Sequence, residues 1–225
     1  LFQIHWPSRA VPHFAKHWPG EINVERIDAT HQSEDMLGLL RGLDKCVKAG
    51  KIRFCGLSNE TPWGVNEYLR LAKLHDLPVM TSVQNEFSLL HTIDWPYMME
   101  MCSLNNVAYL PWSPLAGGAL SGKYMGGARP MGSRWMVSQR LGLFRDTPRG
   151  DAAIAAYVAV AERYDLTAAQ LALAWVDQVD GVSSTILGAT SEEQLRENID
   201  AFNMPLSSEC IVDITGVLKN HPLTF

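Results

Sequence analysis

Short apolar strands alternate with amphipathic helices along this chain, and that alternation restricts the fold more than any other feature of its 225 residues. Strand candidates occupy residues 1–4, 52–57, 79–83, 107–112 and 182–187. Ser33-Glu34-Asp35 offers a helix N-cap followed by first-turn acids, and Met36, Leu39, Leu40, Leu43 and Val47 recur at helical spacing. Gly50 is placed to stop that helix, with Lys48 in its last turn. Thr61-Pro62 opens a second helix with Val65, Tyr68, Leu69 and Ala72 on its apolar stripe. Further helices are expected over 96–104, 152–164 and 167–178, the last with Thr167 as N-cap. Ser191-Glu192-Glu193 caps one running to Ala201, and Ser207 starts a final one ending near Lys219. Residues 7–31 and 114–150 read as long loops, the second rich in glycine.

Five βα units in series predict an α/β protein with a parallel sheet covered by helices. Such a sheet is either doubly wound or part of a (β/α)₈ TIM barrel. No GxGxxG or P-loop follows any strand, which weighs against a doubly wound dinucleotide domain. A barrel needs eight strands and about 250 residues. The expectation is therefore a single barrel domain over 1–225 holding the last five βα units plus a C-terminal helix, with about three N-terminal units outside this chain.

Composition narrows the partners. A formal charge of −5 and a pI near 5.8, with no Lys/Arg-rich run, argue against nucleic acid. No apolar run reaches the length of a membrane span. Cys46, Cys55, Cys102 and Cys210 are scattered without ligand spacing, so they read as separate thiols in a reducing, cytoplasmic compartment. The histidines show no HExxH spacing, and no metal is expected. Oligomeric state is not set by the sequence.

In a barrel the residues just after each strand face the active site. Here they are His5, Ser58-Asn59, Gln84-Asn85, Trp112-Ser113 and Gly188-Ala189-Thr190. This set lacks paired carboxylates, a Cys/His dyad or a GxSxG elbow. It resembles a ligand cradle with one titratable group: Ser, Asn and Gln hydrogen-bond an amide, and Trp112 offers a flat face to a planar ring. The Gly117-Gly118 loop leading to Gly122-Lys123 suits a phosphate through its backbone, and Thr190 precedes a helix N-terminus that attracts anions. Each residue also has a plainer reading. His5 alone would be a hydrogen-bonded structural histidine, Ser58-Asn59 a lead-in to the Thr61 cap, Trp112 core filler and Lys123 a surface lysine. Gln194 and Asn198, four apart, would form a solvated helix face.

Five stretches in register tip the balance: QIHWP (3–7), AGKIRFCGLSNET (49–61), SVQNEFSLL (82–90), PWSPLAGGALSGKY (111–124) and ILGATSEEQLRENI (186–199). On these the chain resembles the aldo-keto reductases, in particular the Tas-like branch, with the potassium-channel β subunits as more distant relatives. The resemblance implies a (β/α)₈ barrel that reduces aldehydes or ketones with NADPH. In that family hydride passes from the nicotinamide to the carbonyl carbon, a Tyr assisted by Lys and Asp donates the proton, and a His orients the carbonyl oxygen. His5 matches that His. Ser58, Asn59 and Gln84 match the residues holding the carboxamide, and Trp112 matches the aromatic stacked on the nicotinamide. Ser113, Leu115, Gly118 and Lys123 match the pyrophosphate loop. Arg134, Thr190, Gln194 and Asn198 match positions near the adenosine end, beside Gly188, and a basic Arg134 favours the 2′-phosphate of NADP(H).

The family's Asp, Tyr and Lys lie upstream of the His strand and have no counterpart here. Tyr68, Tyr97, Tyr109, Tyr124, Tyr157 and Tyr164 all fall in other contexts. The leading expectation is a reductase of small-molecule carbonyls to which this chain contributes the cofactor site and His5, with little activity alone. The alternative is a non-catalytic NADP(H)-binding or regulatory module.

Overall fold

The computed structural model describes residues 1–9, 11, 18–22, 28–138 and 145–222. They divide into two compact units, Leu1–Asn85 with Asp94–Leu110, and Glu86–Ile93 with Pro111–Phe225.

The first unit holds a four-stranded parallel sheet in the order β1-β2-β3-β4: β1 (Phe2–Ile4), β2 (Cys55–Ser58), β3 (Met80–Gln84) and β4 (Ala108–Tyr109). Register pairs Ile4 with Leu57, Leu57 with Val83, and Val83 with Tyr109. Helices α1 (Ala29–Lys48), α2 (Pro62–His75) and α3 (Tyr97–Leu104) belong to this unit. Met36, Leu40 and Leu43 are the buried stripe of α1, and Val65, Tyr68, Leu71 and Ala72 that of α2. Thr61 caps α2 by accepting from the Gly64 N–H, with Pro62 at the first turn, as the sequence predicts.

The second unit is helical: α4 (Arg134–Val137), α5 (Pro148–Arg163), α6 (Ala168–Asp177), α7 (Glu192–Ala201) and α8 (Ser208–Asn220). Two 3₁₀ segments, Ala116–Ser121 and Met125–Gly127, break the loop after Pro114. Its core gathers Leu89, Leu120, Tyr124, Trp135, Ile154, Tyr157, Leu171 and Ile214. Thr167, Ser191 and Ser207 cap α6, α7 and α8 as expected, Thr167 in a full capping box with Gln170.

Three sequence expectations need correcting. Helix α1 starts at Ala29, not after Ser33: Asp28 caps it, accepting from the Thr30 and His31 N–H groups at 3.0 and 3.1 Å. Its first turn is exposed and polar, so hydrophobic periodicity carries no signal there. Ser33 lies inside the helix and donates to Ala29 O and to Glu67 Oε1 of α2. Second, residues 182–187 form no regular strand. The segment is tied through Ile186 N–H to Pro111 O at 2.8 Å, while Ser183 and Ser184 are exposed and bring no apolar side chain to bury. Third, β4 keeps only Ala108–Tyr109 of the longer strand expected over 107–112.

All four cysteines are free thiols, three of them buried. Among the described residues no helix is long and apolar enough to cross a membrane, and no cluster of His, Cys, Asp or Glu is arranged for a metal.

Candidate functional site

In the first unit three adjacent parallel strands end at His5, at Ser58-Asn59 and at Gln84. The ends are laced together. The Asn59 backbone N–H and the Ser58 hydroxyl both donate to Gln84 O, at 3.0 and 2.7 Å. Asn59 Nδ2 donates to His5 O at 2.9 Å and to Ser58 Oγ at 3.2 Å. Gln84 Nε2 donates to Gln3 Oε1 at 3.1 Å. Asn59 takes a left-handed backbone (φ 55°), which Asn tolerates better than most residues and which turns the chain sharply off β2. Ser58 and Asn59 are buried, whereas the His5 ring is exposed and stacked on Trp6 with centroids 4.2 Å apart. The structure thus brings His5, Ser58, Asn59 and Gln84 together through their backbones.

A second polar layer supports this one. Asn85 Oδ1 accepts from the Glu60 N–H and its Nδ2 donates to Glu60 O, clasping the backbone that follows Asn59. Asn85 Nδ2 also donates to Asp94 Oδ2, which accepts from the Tyr109 hydroxyl at 2.7 Å. Burial raises the Asp94 carboxyl pKa to about 6, against the pull of those two hydrogen bonds. The Glu60 carboxylate forms an ion pair with Arg9, which also reaches Thr61 Oγ1 and lies over the Trp63 ring. Burial pushes the Glu60 pKa up and the Arg9 charge pulls it back. A Cβ on Gly64 would meet the Glu60 carboxylate and the Arg9 guanidinium, which would have to shift. The sequence reading assigned nothing to Glu60, Asp94 or Tyr109. Glu60 had a visible signal, a charged residue directly behind a buried strand end. Asp94 had none, since its partners lie 9 and 15 residues away.

In the second unit Trp112 is half-buried, and its carbonyl accepts from the Phe87 N–H at 3.3 Å. Ser113 (φ 58°) and Ala116 (φ 48°) are left-handed, a conformation that costs non-glycine residues about 1 kcal/mol or more and concentrates at functional loops. The Gly117 N–H donates to Ser113 Oγ at 2.8 Å, and the Gly118 N–H to Leu115 O at 2.9 Å. Those two donors are used inside the turn, and the loop leads on to Lys123. Its exposed Nζ lies 5.3 Å from the Tyr124 ring centroid.

Arg134 is exposed at the start of α4. Neither Lys123 nor Arg134 has an ion-pair partner among the described residues. Beside Arg134, Ser133 Oγ and Trp135 Nε1 are buried without an acceptor. This stretch thus carries two cations without carboxylates and two buried donors without acceptors. Gly188 is exposed, with open space where a side chain would be. Thr190 is tied to Gln194, whose Oε1 accepts from Thr190 N and Oγ1 at 3.1 and 3.0 Å. Thr190 is thus braced by its own helix, with its N–H already committed. Asn198 is buried on α7 while Gln194 is exposed, so the two do not share one solvated face.

The family signature described as "Aldo/keto reductase family" matches residues 1–219. The chain belongs to the aldo/keto reductase family, whose membership implies a (β/α)₈ barrel. It is 38% identical over 217 residues to Protein tas of Escherichia coli (strain K12), covering 96% of this chain and 61% of that protein. An aldo-keto reductase of Babesia bovis is 35% identical over 216 residues, covering 88% of this chain and 72% of that protein. A probable voltage-gated potassium channel subunit beta of Arabidopsis thaliana is 28% identical over 207 residues, covering 89% and 62%. The chain therefore spans about three-fifths of the length of the Tas proteins it matches.

Proposed function

We propose that this chain carries the NADP(H) site and the carbonyl-orienting histidine of an enzyme that reduces aldehydes or ketones to alcohols. The observation that carries this reading is the set of strand ends at His5, Ser58-Asn59 and Gln84, locked to one another by hydrogen bonds. When bound, NADPH supplies the hydride that the carbonyl carbon accepts, and the carbonyl oxygen takes up a proton. His5 orients that oxygen: Asn59 fixes its backbone while the ring stays exposed to the substrate. Ser58, Asn59 and Gln84 hold the carboxamide, and the half-buried Trp112 gives its face to the nicotinamide ring. Ser113, Leu115 and Gly118 shape the loop along the pyrophosphate, with Lys123 as its cation. Arg134 takes the 2′-phosphate, and Gly188, Thr190, Gln194 and Asn198 serve the adenosine end. No tyrosine of this chain is assigned as proton donor. Of the six, Tyr109, Tyr124 and Tyr157 are fully buried, and Tyr109 gives its hydroxyl to Asp94. Four free thiols suit the reducing cytoplasm, where we place the protein.

Titration of the 225-residue chain with NADPH, followed by quenching of tryptophan fluorescence, tests the reading. Saturable quenching that weakens in Trp112→Ala is expected. A folded chain that shows no saturable response refutes it.

A second reading, a cofactor-sensing module without turnover, draws on the similarity to channel β subunits over 89% of the chain. The full-length protein decides between the two: NADPH oxidation with simple aldehydes supports the enzyme, and tight binding without turnover supports the module.

A further inference from the structure

The Tyr124 and Trp135 rings stack with centroids 4.1 Å apart and planes within 3° of parallel. The backbone N–H of Trp135 donates to the Tyr124 hydroxyl at 3.3 Å, and both rings are almost fully buried. Each ring follows a cation without an ion-pair partner among the described residues: Lys123 precedes Tyr124, and Arg134 precedes Trp135. Lys123 Nζ stays close to the Tyr124 ring, and the Arg129 guanidinium lies 5.3 Å from the Trp135 centroid with its charge committed to Asp146. Trp135 stands eleven positions after Tyr124, and residues 126–132 between them are exposed and rich in glycine. The stack and its hydrogen bond join the two ends of this excursion, and Arg129 adds a contact to the Trp135 ring.

We propose that the Tyr124–Trp135 stack is a specificity-determining positioning pair. It fixes the separation of Lys123 and Arg134 so that two anionic groups of one nucleotide meet both cations, and it thereby sets the preference for a 2′-phosphorylated ligand. The proposal rests on the cofactor reading above. Lys and Arg side chains are flexible, and a cation on a mobile loop must give up loop entropy on binding. Anchoring both backbones on one buried stack removes that cost before the ligand arrives. The unpaired Ser133 Oγ and Trp135 Nε1, on either side of Arg134, show that this segment is not folded to satisfy its own donors.

The discriminating probes are 2′,5′-ADP and 5′-AMP, titrated calorimetrically into the full chain and into Arg134→Ala, Trp135→Leu, Trp135→Phe and Tyr124→Phe. The unaltered chain is expected to favour 2′,5′-ADP by roughly tenfold or more, the range of a charged hydrogen bond. Arg134→Ala abolishes that preference. Trp135→Leu, which keeps an apolar side chain but no flat ring, abolishes it to a similar degree while 5′-AMP affinity holds. Trp135→Phe restores most of it, and Tyr124→Phe, lacking only the hydroxyl, loses part. A cooperative thermal melt certifies each variant. If Trp135→Leu fails to fold, the Trp135→Phe and Tyr124→Phe pair carries the test. An undiminished preference in Trp135→Leu, or in Tyr124→Phe where Leu does not fold, together with its loss in Arg134→Ala, overturns the positioning role and leaves the cofactor reading intact. An unaltered chain that binds both probes equally overturns both.

Discussion

The strand ends of the first unit and the cationic loop of the second treat polar groups in opposite ways. Around His5, Ser58, Asn59 and Gln84 the side-chain donors are spent on neighbouring carbonyls, and behind them Asn85, Asp94 and Tyr109 close a buried network. Around Lys123 and Arg134 there are cations without carboxylates and buried donors without acceptors. In the first arrangement the donors of Ser58, Asn59 and Gln84 are paired and Gln3 Nε2 is left over, while in the second both cations and two buried donors lack acceptors. Rigid strand ends suit the part of a site where angle and distance decide chemistry. A loop short of acceptors suits the part that supplies affinity and discrimination.

The largest effect expected tests whether every cation of the second unit is waiting for a ligand. Arg145 is not: it is 3% exposed and ion-paired with Glu86, itself 5% exposed. Arg145→Met strands a buried carboxylate and is expected to cost about 3–5 kcal/mol in urea unfolding. Arg134→Ala, at an exposed position, should stay within about 0.5 kcal/mol. A double variant, Glu86→Gln with Arg145→Met, should regain much of the loss, because the uncompensated charge is gone. Equal costs for Arg145→Met and Arg134→Ala would erase the distinction between structural and ligand-directed cations.

That distinction also marks what the sequence could disclose. Strand ends are legible because a buried apolar run followed by Ser58-Asn59 or Gln84 is a local pattern, and a parallel sheet fixes where such ends point. Thr61, Thr167, Ser191 and Ser207 were legible as caps for the same reason, since a cap acts within three residues. Asp94 was not legible, because its role is defined by Asn85 and Tyr109, which only the folded chain brings to it. Nor was Trp135, whose stack with Tyr124 depends on the path of an irregular loop that has no period to read. The fifth strand failed because apolar residues at 182, 186 and 187 suggested a strand, but Ser183 and Ser184 leave half the segment nothing to bury.

A smaller effect probes whether the strand-end network is as complete as its hydrogen bonds indicate. Tyr109→Phe removes the donor to Asp94 Oδ2 and is expected to cost about 1.5–3 kcal/mol near neutral pH. The sign of the pH dependence follows from Asp94 itself. Its pKa is raised from 3.8 to about 6, so between those values the folded protein keeps a proton that the unfolded chain has lost. Stability from this group is therefore highest below pH 4, falls as pH rises toward 6, and levels off above. Measured against Asp94→Asn, which does not titrate, the unaltered protein should gain about 1 kcal/mol between pH 7 and pH 5. Tyr109→Phe should move that window upward, since the charged carboxylate has lost a donor. Parallel pH profiles for the unaltered protein and Asp94→Asn would mean the carboxyl is hydrated, and the network open to water.

The smallest effect lies at Gln194, where the second unit departs from its own pattern. Gln194 Oε1 accepts two hydrogen bonds from Thr190, so here a polar group of the second unit is self-satisfied as those of the strand ends are. It is also exposed, so water replaces those bonds when they are lost. Gln194→Ala is expected to shift thermal stability by under about 1 kcal/mol, since neither Thr190 donor is stranded in the interior. Its effect on NADPH affinity should be only a few-fold, arising from a looser Thr190 segment and not from a lost charge. A much larger loss of affinity, with stability unchanged, would show that Gln194 gives its carboxamide to the ligand and releases Thr190 on binding. The segment before α7 would then belong with Lys123 and Arg134 among the groups completed by the nucleotide, and the self-contained character of the first unit's strand ends would stand out the more sharply.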